Sequence, residues 1–324
     1  MEMNLSGKTI LVTGGNGLVG SHLVEELLAR KARVITTVRS EDHSSYFFSK
    51  ELNKKALCLA ADITDEGRMR EILPKYGVSV IFHLAAQPLV DTAYHDPLTT
   101  LRINIDGTCN VLESARLYGK VEAIVAASSD KAYGKADLLP YTEDMPLKGD
   151  HPYEASKSCM DIVSRMYAAT YKLPVAVTRF GNIYGEGDLN FDRIVPGALR
   201  AILLKENLDI RSNGKFIREF IYVKDVVAAY VLLAENIEKT KGEAFNISSG
   251  HKRSVLQVIA DIEKILGKKI STRILNIAKN EIPDQYLDSS KISKMLKWKT
   301  SYAFEEGIKR SFRWYSSYFG GKND

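Results

Sequence analysis

Cysteine is scarce in this chain, with three in 324 residues: Cys58, Cys109 and Cys159. They lie far apart, fit no zinc spacing and frame no disulfide scaffold, so a reduced protein is expected. No apolar run is long enough to span a bilayer, which excludes a membrane partner of the spanning kind. The first residues, Met1-Glu2-Met3-Asn4, are neither basic nor followed by an apolar core. They read as no export signal, and a cytoplasmic protein is expected. The six histidines do not cluster at ligand spacing, so no metal is expected. Net charge is only +5, with Lys and Arg spread along the chain and no basic stripe with interleaved aromatics, so no nucleic-acid partner is expected. Repeats and low-complexity tracts are absent as well.

What is present is an ordinary globular composition, 45% apolar and 26% charged. Short, nearly continuous apolar runs at 8–13, 33–38, 56–60, 78–84, 123–127 and 175–180 alternate with helical patterns at 18–30, 66–75, 97–118 and 152–171. That alternation predicts an α/β chain whose parallel sheet is covered on both faces. After 180 the pattern changes. Residues 181–192 read as a loop, 194–205 as a helix, and 210–222 as two short strands around Ser212-Asn213-Gly214. A helix over 223–236 and a strand over 244–247 return to the main sheet, and helices follow at 254–266, 289–296 and 304–315. The expected division is a dinucleotide-binding domain of 1–180 plus 223–248, and a smaller mixed α/β lobe of 181–222 plus 249–324.

The first strand runs into Gly14-Gly15-Asn16-Gly17-Leu18-Val19-Gly20, which satisfies both G-x-x-G-x-x-G and G-x-G-x-x-G. Strand, glycine turn and helix in that order make a Rossmann-type doubly wound domain whose helix N-terminus meets a pyrophosphate. Gly14, Gly17, Leu18, Val19 and Gly20 are the expected contacts. No carboxylate ends the second strand; Thr37-Val38-Arg39-Ser40 stands there instead. Arg39 and Ser40 suit a 2′-phosphate, which favours NADP over NAD, the alternative being an Arg39 that stacks on adenine or faces solvent. Asp62 and Ile63 are placed for the adenine ring, and Leu84, Ala85 and Ala86 line the cofactor's path with small or apolar side chains. His83 reads as a packed core residue.

Two further segments carry chemistry: Ser129-Asp130-Lys131, and Tyr153 with Lys157 four residues on. On a helix the latter pair shares one face. A phenol beside an ammonium loses its proton more easily, which suits a base that takes a proton from an alcohol while hydride leaves the same carbon. Asp130 and Lys131 form a second acid/base pair that simple alcohol oxidation leaves idle.

These residues, with His83-Leu84-Ala85-Ala86, Asn104-Ile105-Asp106-Gly107-Thr108, Arg179-Phe180-Gly181-Asn182-Ile183-Tyr184-Gly185 and Arg218-Glu219-Phe220-Ile221-Tyr222-Val223-Lys224-Asp225, resemble the extended short-chain dehydrogenase/reductases that act on nucleotide sugars. An acid and a base after Ser129 are similar to the 4,6-dehydratase branch, in particular to CDP-glucose and bacterial UDP-N-acetylglucosamine dehydratases. The resemblance implies a nucleotide-diphosphate hexose as substrate, with C4 oxidation by Ser129, Tyr153 and Lys157. It also implies water loss across C5 and C6 by Lys131 as base and Asp130 as acid, then hydride return or a halt at the 5,6-alkene. It places Gln87, Asn182, Arg193, Ile194 and Arg218 against the substrate, and helices 97–118 and 152–171 in a four-helix homodimer contact. A 4-epimerase or 4-ketoreductase would use only Ser129, Tyr153 and Lys157. A dinucleotide-binding regulator without turnover is the third reading. Between the two sugars, the compact chain leans slightly to the UDP sugar.

Overall fold

The computed structural model describes residues 2–277 and 282–320. Twelve strands appear in chain order: β1 Thr9–Thr13, β2 Arg33–Val38, β3 Leu57–Ala60, β4 Val80–His83, β5 Ala123–Ala127, β6 Val175–Phe180, β7 Asn182–Tyr184, β8 Leu208–Ile210, β9 Ile217–Tyr222, β10 Ala244–Ile247, β11 Lys252–Ser254 and β12 Thr272–Ile274. Seven of them form one parallel sheet in the order β10-β6-β5-β4-β1-β2-β3. Strand order reverses between β1 and β4, and the crevice that opens there at the strands' C-terminal ends is where such sheets take ligands. The apolar runs of β1, β4, β5 and β6 are buried because helices cover both faces.

Two apolar clusters lie on the two sides of this sheet. Ile10, Val12, Phe82 and Val125 join one, with Leu23 and Leu27 of helix Leu18–Ala29 and Val226 and Tyr230 of helix Val223–Glu235. Leu11, Ile81, Ile124 and Val175 join the other, with Ile72, Leu112 and Met160. A third cluster, around Tyr184, Leu199, Phe220, Ile262, Ile308 and Tyr315, belongs to the elements that follow β6.

Those elements depart from the sequence-based expectation in instructive ways. Residues 181–192 are not all loop, because Asn182–Tyr184 pairs parallel with β9. The two strands flanking Ser212-Asn213-Gly214 exist but do not pair with each other. β8 joins β12, while β9 lies between β7 and β11. The helix expected over 97–118 runs as Pro97–Leu101, a π-helical widening over Arg102–Asp106, and Gly107–Tyr118. Among the described residues no helix is long and apolar enough to cross a membrane, and no group of three or more His, Cys, Asp or Glu side chains is placed to hold a metal.

Candidate functional site

Three chain segments leave the strand ends beside the crevice. The first is the glycine turn. Gly14 has φ +73°, and a Cβ there would lie 2.8 Å from the Ala85 amide nitrogen, so only glycine lets the turn approach the segment after β4. Gly17 differs: a Cβ there would meet only the Gly14 carbonyl oxygen, at 3.4 Å. Its bareness leaves open space in front of helix Leu18–Ala29, whose first turn has no acidic residue and no side-chain cap. Free amides at the start of this helix, at Leu18 and Val19, fit a pyrophosphate, while Gly20 is buried against the turn, where a Cβ would collide with Gly14 O. The turn is held from behind by Thr36, whose hydroxyl accepts from Gly15 N at 3.1 Å and donates to Val12 O at 2.9 Å.

The second segment follows β4. Thr13 and His83 are cross-strand partners, and their side chains meet at 2.8 Å through His83 Nδ1. The other ring nitrogen lies 3.0 Å from the Thr108 hydroxyl, which donates its own proton to Asn104 O at 2.6 Å. Burial, reinforced by the Lys157 charge, drives the imidazole down to about 3, so it is neutral. Thr13 Oγ1 also accepts from the Leu84 and Ala85 amides, each at 3.2 Å. Leu84, Ala85 and Ala86 are therefore set beside the glycine turn, all partly buried. Gln87 goes elsewhere. Its Nε2 donates to Leu89 O at 3.0 Å and Thr100 Oγ1 at 2.9 Å, and its Oε1 accepts from Leu89 N at 2.6 Å, so its amide shapes its own loop instead of facing a substrate.

The third segment follows β5. Ser129 caps the short turn Asp130–Tyr133, accepting from Lys131 N at 3.2 Å and donating to Asp130 Oδ1 at 3.0 Å. Asp130 is buried, and desolvation pushes its carboxyl above the usual range, opposed by the Lys131 charge, the Ser129 bond and the Arg218 charge. Lys131 Nζ donates to Gln285 Oε1 at 2.7 Å.

Helix Pro152–Tyr171 brings Tyr153 and Lys157 to the same place. Proline at its first turn, and buried Tyr153, Ser156, Lys157, Met160, Asp161, Ser164 and Ala168 along one face, explain why it forms and how it docks. Tyr153 does not have the lowered pKa expected of a phenol next to an ammonium. Burial pushes it up to about 12, the Asp130 charge adds to this, and a hydrogen bond with Ser129 opposes it. Lys157 turns its Nζ to the Ala127 carbonyl at 2.8 Å, and burial lowers it to about 8.

A buried network holds the last two segments together. Asp161 pairs with Arg179 through 2.8 and 2.9 Å bonds, Arg179 donates to Tyr133 Oη at 2.6 Å, and Tyr133 donates to Asn246 Oδ1 at 2.7 Å.

The remaining positions fall into two groups. Arg193 and Arg218 act electrostatically on Tyr153 and Asp130 respectively, so both stand at this end of the crevice. Arg193 precedes helix Ile194–Leu204 without capping it and donates to Asp188 at 3.1 Å; Arg218 donates to the carbonyls of Ile217, Pro283 and Ile282. Ile194 is partly buried, and Asn182 is exposed on β7. At the far end Arg39 is largely exposed and lies 3.8 Å from Asp62, while the Ser40 carbonyl accepts from Asn16. Ile63 is buried in the core behind Gly107, which removes its side chain from any adenine contact. Sequence reasoning missed Gln285, which no local motif marks. It also missed the role of Asn104, whose side chain bonds the Gln87 backbone at 2.8 and 3.1 Å and Ser156 Oγ at 2.9 Å.

Comparison with known proteins agrees with this architecture. The chain is 31% identical to a UDP-N-acetyl-alpha-D-glucosaminuronate decarboxylase of Bacillus cytotoxicus, over 95% of this chain and 98% of that one. The UDP-glucose 4-epimerase of Thermotoga maritima, solved with UDP-glucose, superposes with a TM-score of 0.87 at 29% identity, covering 98% of this chain and all of that one. The dTDP-glucose 4,6-dehydratase DesIV of Streptomyces venezuelae, solved with NAD, superposes with the same TM-score of 0.87 at 28% identity, covering 97% and 98%. Decarboxylase, epimerase and dehydratase share one scaffold, and the model of that scaffold matches residues 10–248 here, so the chain is a member of the NAD dependent epimerase/dehydratase family.

Proposed function

We propose that the protein is a nucleotide-diphosphate-hexose 4,6-dehydratase. One observation carries the reading: a buried carboxyl with a raised pKa, Asp130, is bonded to the Ser129 hydroxyl at the Tyr153 site. An epimerase has no use for a protonated acid there; a dehydratase needs one to expel the 6-hydroxyl. Bound dinucleotide supplies the hydride acceptor at C4 and the hydride donor at C6. Ser129 and Tyr153 hold the 4-hydroxyl, and Tyr153 takes its proton. The positive charge of a bound oxidised dinucleotide would bring its high pKa down toward the working range. The 4-ketone acidifies C5–H, a neutral Lys131 takes that proton, and Asp130 gives its own to the departing hydroxyl. Lys131 then returns a proton to C5, and Tyr153 and Asp130 recover their starting states by net transfer of one proton from the phenol to the carboxylate.

In this reading the elements within 181–222 and 249–324 make the nucleotide-sugar lobe. Arg193 and Arg218 meet the pyrophosphate, with Asn182 and Ile194 beside them. UDP-N-acetylglucosamine and CDP-glucose are the leading substrates. The dinucleotide is NADP, because Arg39 and Ser40 follow β2 where a ribose-binding carboxylate would select NAD. Two copies pair through helices Gly107–Tyr118 and Pro152–Tyr171, where Leu117, Ile162, Met166 and Tyr171 are exposed. Incubation with a panel of nucleotide sugars, followed by mass spectrometry, tests the reaction. Loss of one water supports it, whereas a product of unchanged mass inverted at C4 assigns an epimerase instead.

A further inference from the structure

We propose that Gln285 is a positioning residue for Lys131, the proton acceptor at C5; the inference rests on the dehydratase reading. Gln285 comes from a stretch far along the chain that is stitched across the site by backbone bonds. Ile217 N donates to Pro283 O at 3.0 Å and Gln285 N to Ile217 O at 3.1 Å. Tyr141 N donates to Tyr286 O at 2.9 Å, Asp288 N to Tyr141 O at 2.8 Å, and Leu287 N to Glu219 Oε2 at 2.8 Å. These bonds fix the segment over the turn that carries Lys131.

The side chain of Gln285 is 1% exposed, and its Oε1 accepts from Lys131 Nζ at 2.7 Å. An ammonium has no lone pair and can only donate, so while Lys131 is protonated the amide must turn its oxygen to it. That orientation points the buried Gln285 Nε2 away from Lys131 toward the Tyr141 side chain, whose hydroxyl gives its proton to Gly134 O at 2.6 Å and keeps its oxygen free to accept. The amide's contribution to the site is the oxygen it holds against Lys131.

The chemistry explains the residue type. A carboxamide accepts from both –NH3⁺ and –NH2, so it orients Nζ without adding a charge that would lock the proton on. A carboxylate in the same place would hold Lys131 protonated. Among the described residues, the charged and titratable groups around this contact include Asp130 beside Lys131, Arg218 and Glu219 on β9, Glu154 on helix Pro152–Tyr171, and Tyr141. Glu219 has both oxygens engaged, by Ser248 at 2.5 Å and Leu287 N.

The test uses Gln285→Leu and Gln285→Glu in the full chain, with UDP-N-acetylglucosamine and CDP-glucose as probes in heavy water. Gln285→Leu is expected to reduce bound dinucleotide within about twofold of the parent, which shows a folded site, and to lose C5 deuterium incorporation by about tenfold or more. Gln285→Glu is expected to move the alkaline midpoint for acetylation of Lys131 by acetic anhydride upward by about one pH unit or more. That second readout needs no substrate. C5 exchange at the parental rate in Gln285→Leu, or an unmoved Lys131 profile in Gln285→Glu, overturns the positioning role while leaving dehydration intact. A parent protein that exchanges nothing at C5 with either sugar overturns the dehydratase reading and this inference with it.

Discussion

Thr13 donates its hydroxyl proton to Nδ1 of His83 at 2.8 Å, and the order of donors in the surrounding network permits no other arrangement. Thr108 spends its proton on Asn104 O, so it must accept from His83 Nε2–H, which leaves Nδ1 bare. The imidazole is a neutral joint between β1, β4 and helix Gly107–Tyr118.

Thr13→Val should break that joint. It deprives the Leu84 and Ala85 amides and His83 Nδ1 of a partner at a fully buried position. The expected loss is about 1–3 kcal/mol of stability, read by denaturant midpoint. Dinucleotide affinity should fall with it, read by fluorescence titration.

Asp130→Asn should lose water elimination by about a hundredfold or more while C4 oxidation, seen as reduced dinucleotide, persists. The same variant should melt higher than the parent near neutral pH. Because burial raises the folded pKa of Asp130, the unfolded chain ionises first. The carboxylate therefore costs stability once pH rises past the unfolded value, and the full cost is reached above the folded one. The difference in melting temperature should vanish below about pH 3, where both states hold the proton. A parent that melts higher than the variant at neutral pH would show Asp130 to be stabilising as an ion.

Lys157→Met should abolish C4 oxidation and also remove a slope from the stability profile. The folded pKa of Lys157 is about 8 against an ordinary 10.5, so the unfolded chain holds the extra proton between those values. Stability from this group accordingly rises with pH across that window. Denaturant titrations from about pH 7.5 to 9.5 should show the rise in the parent and its absence in Lys157→Met.

Arg39→Ala should weaken NADP binding by about tenfold and NAD binding far less, since only the former carries a 2′-phosphate for the guanidinium. Equal loss for both would place Arg39 on the adenine ring, and no loss for either would leave it to solvent and Asp62.

The sheet was legible because its inner strands are buried on both faces, so that β1, β4 and β5 consist mostly of apolar residues and β2 and β6 are rich in β-branched ones. The glycine turn and the Tyr153/Lys157 pair were legible because their chemistry is local. β7, β11 and β12 escaped notice because three-residue strands at sheet margins carry almost no periodicity; β11 is Lys-Arg-Ser. The elevated pKa of Tyr153 was missed because burial depends on the whole fold, whereas spacing shows only the neighbouring ammonium. Gln285 was invisible for a related reason: 154 residues separate it from Lys131, and only tertiary backbone pairing brings the two together.

The Asp161–Arg179–Tyr133 chain gives the site a common chassis. Helix Pro152–Tyr171 carries Tyr153, the Asp130–Tyr133 turn carries Asp130, and both are riveted to the same guanidinium, which has no exposure of its own. In the proposed dehydratase, oxidation and elimination are thereby geared together. A side chain that never meets the sugar sets how far apart the tools for the two steps can drift, and wear at that one rivet would put both steps out of tune at once.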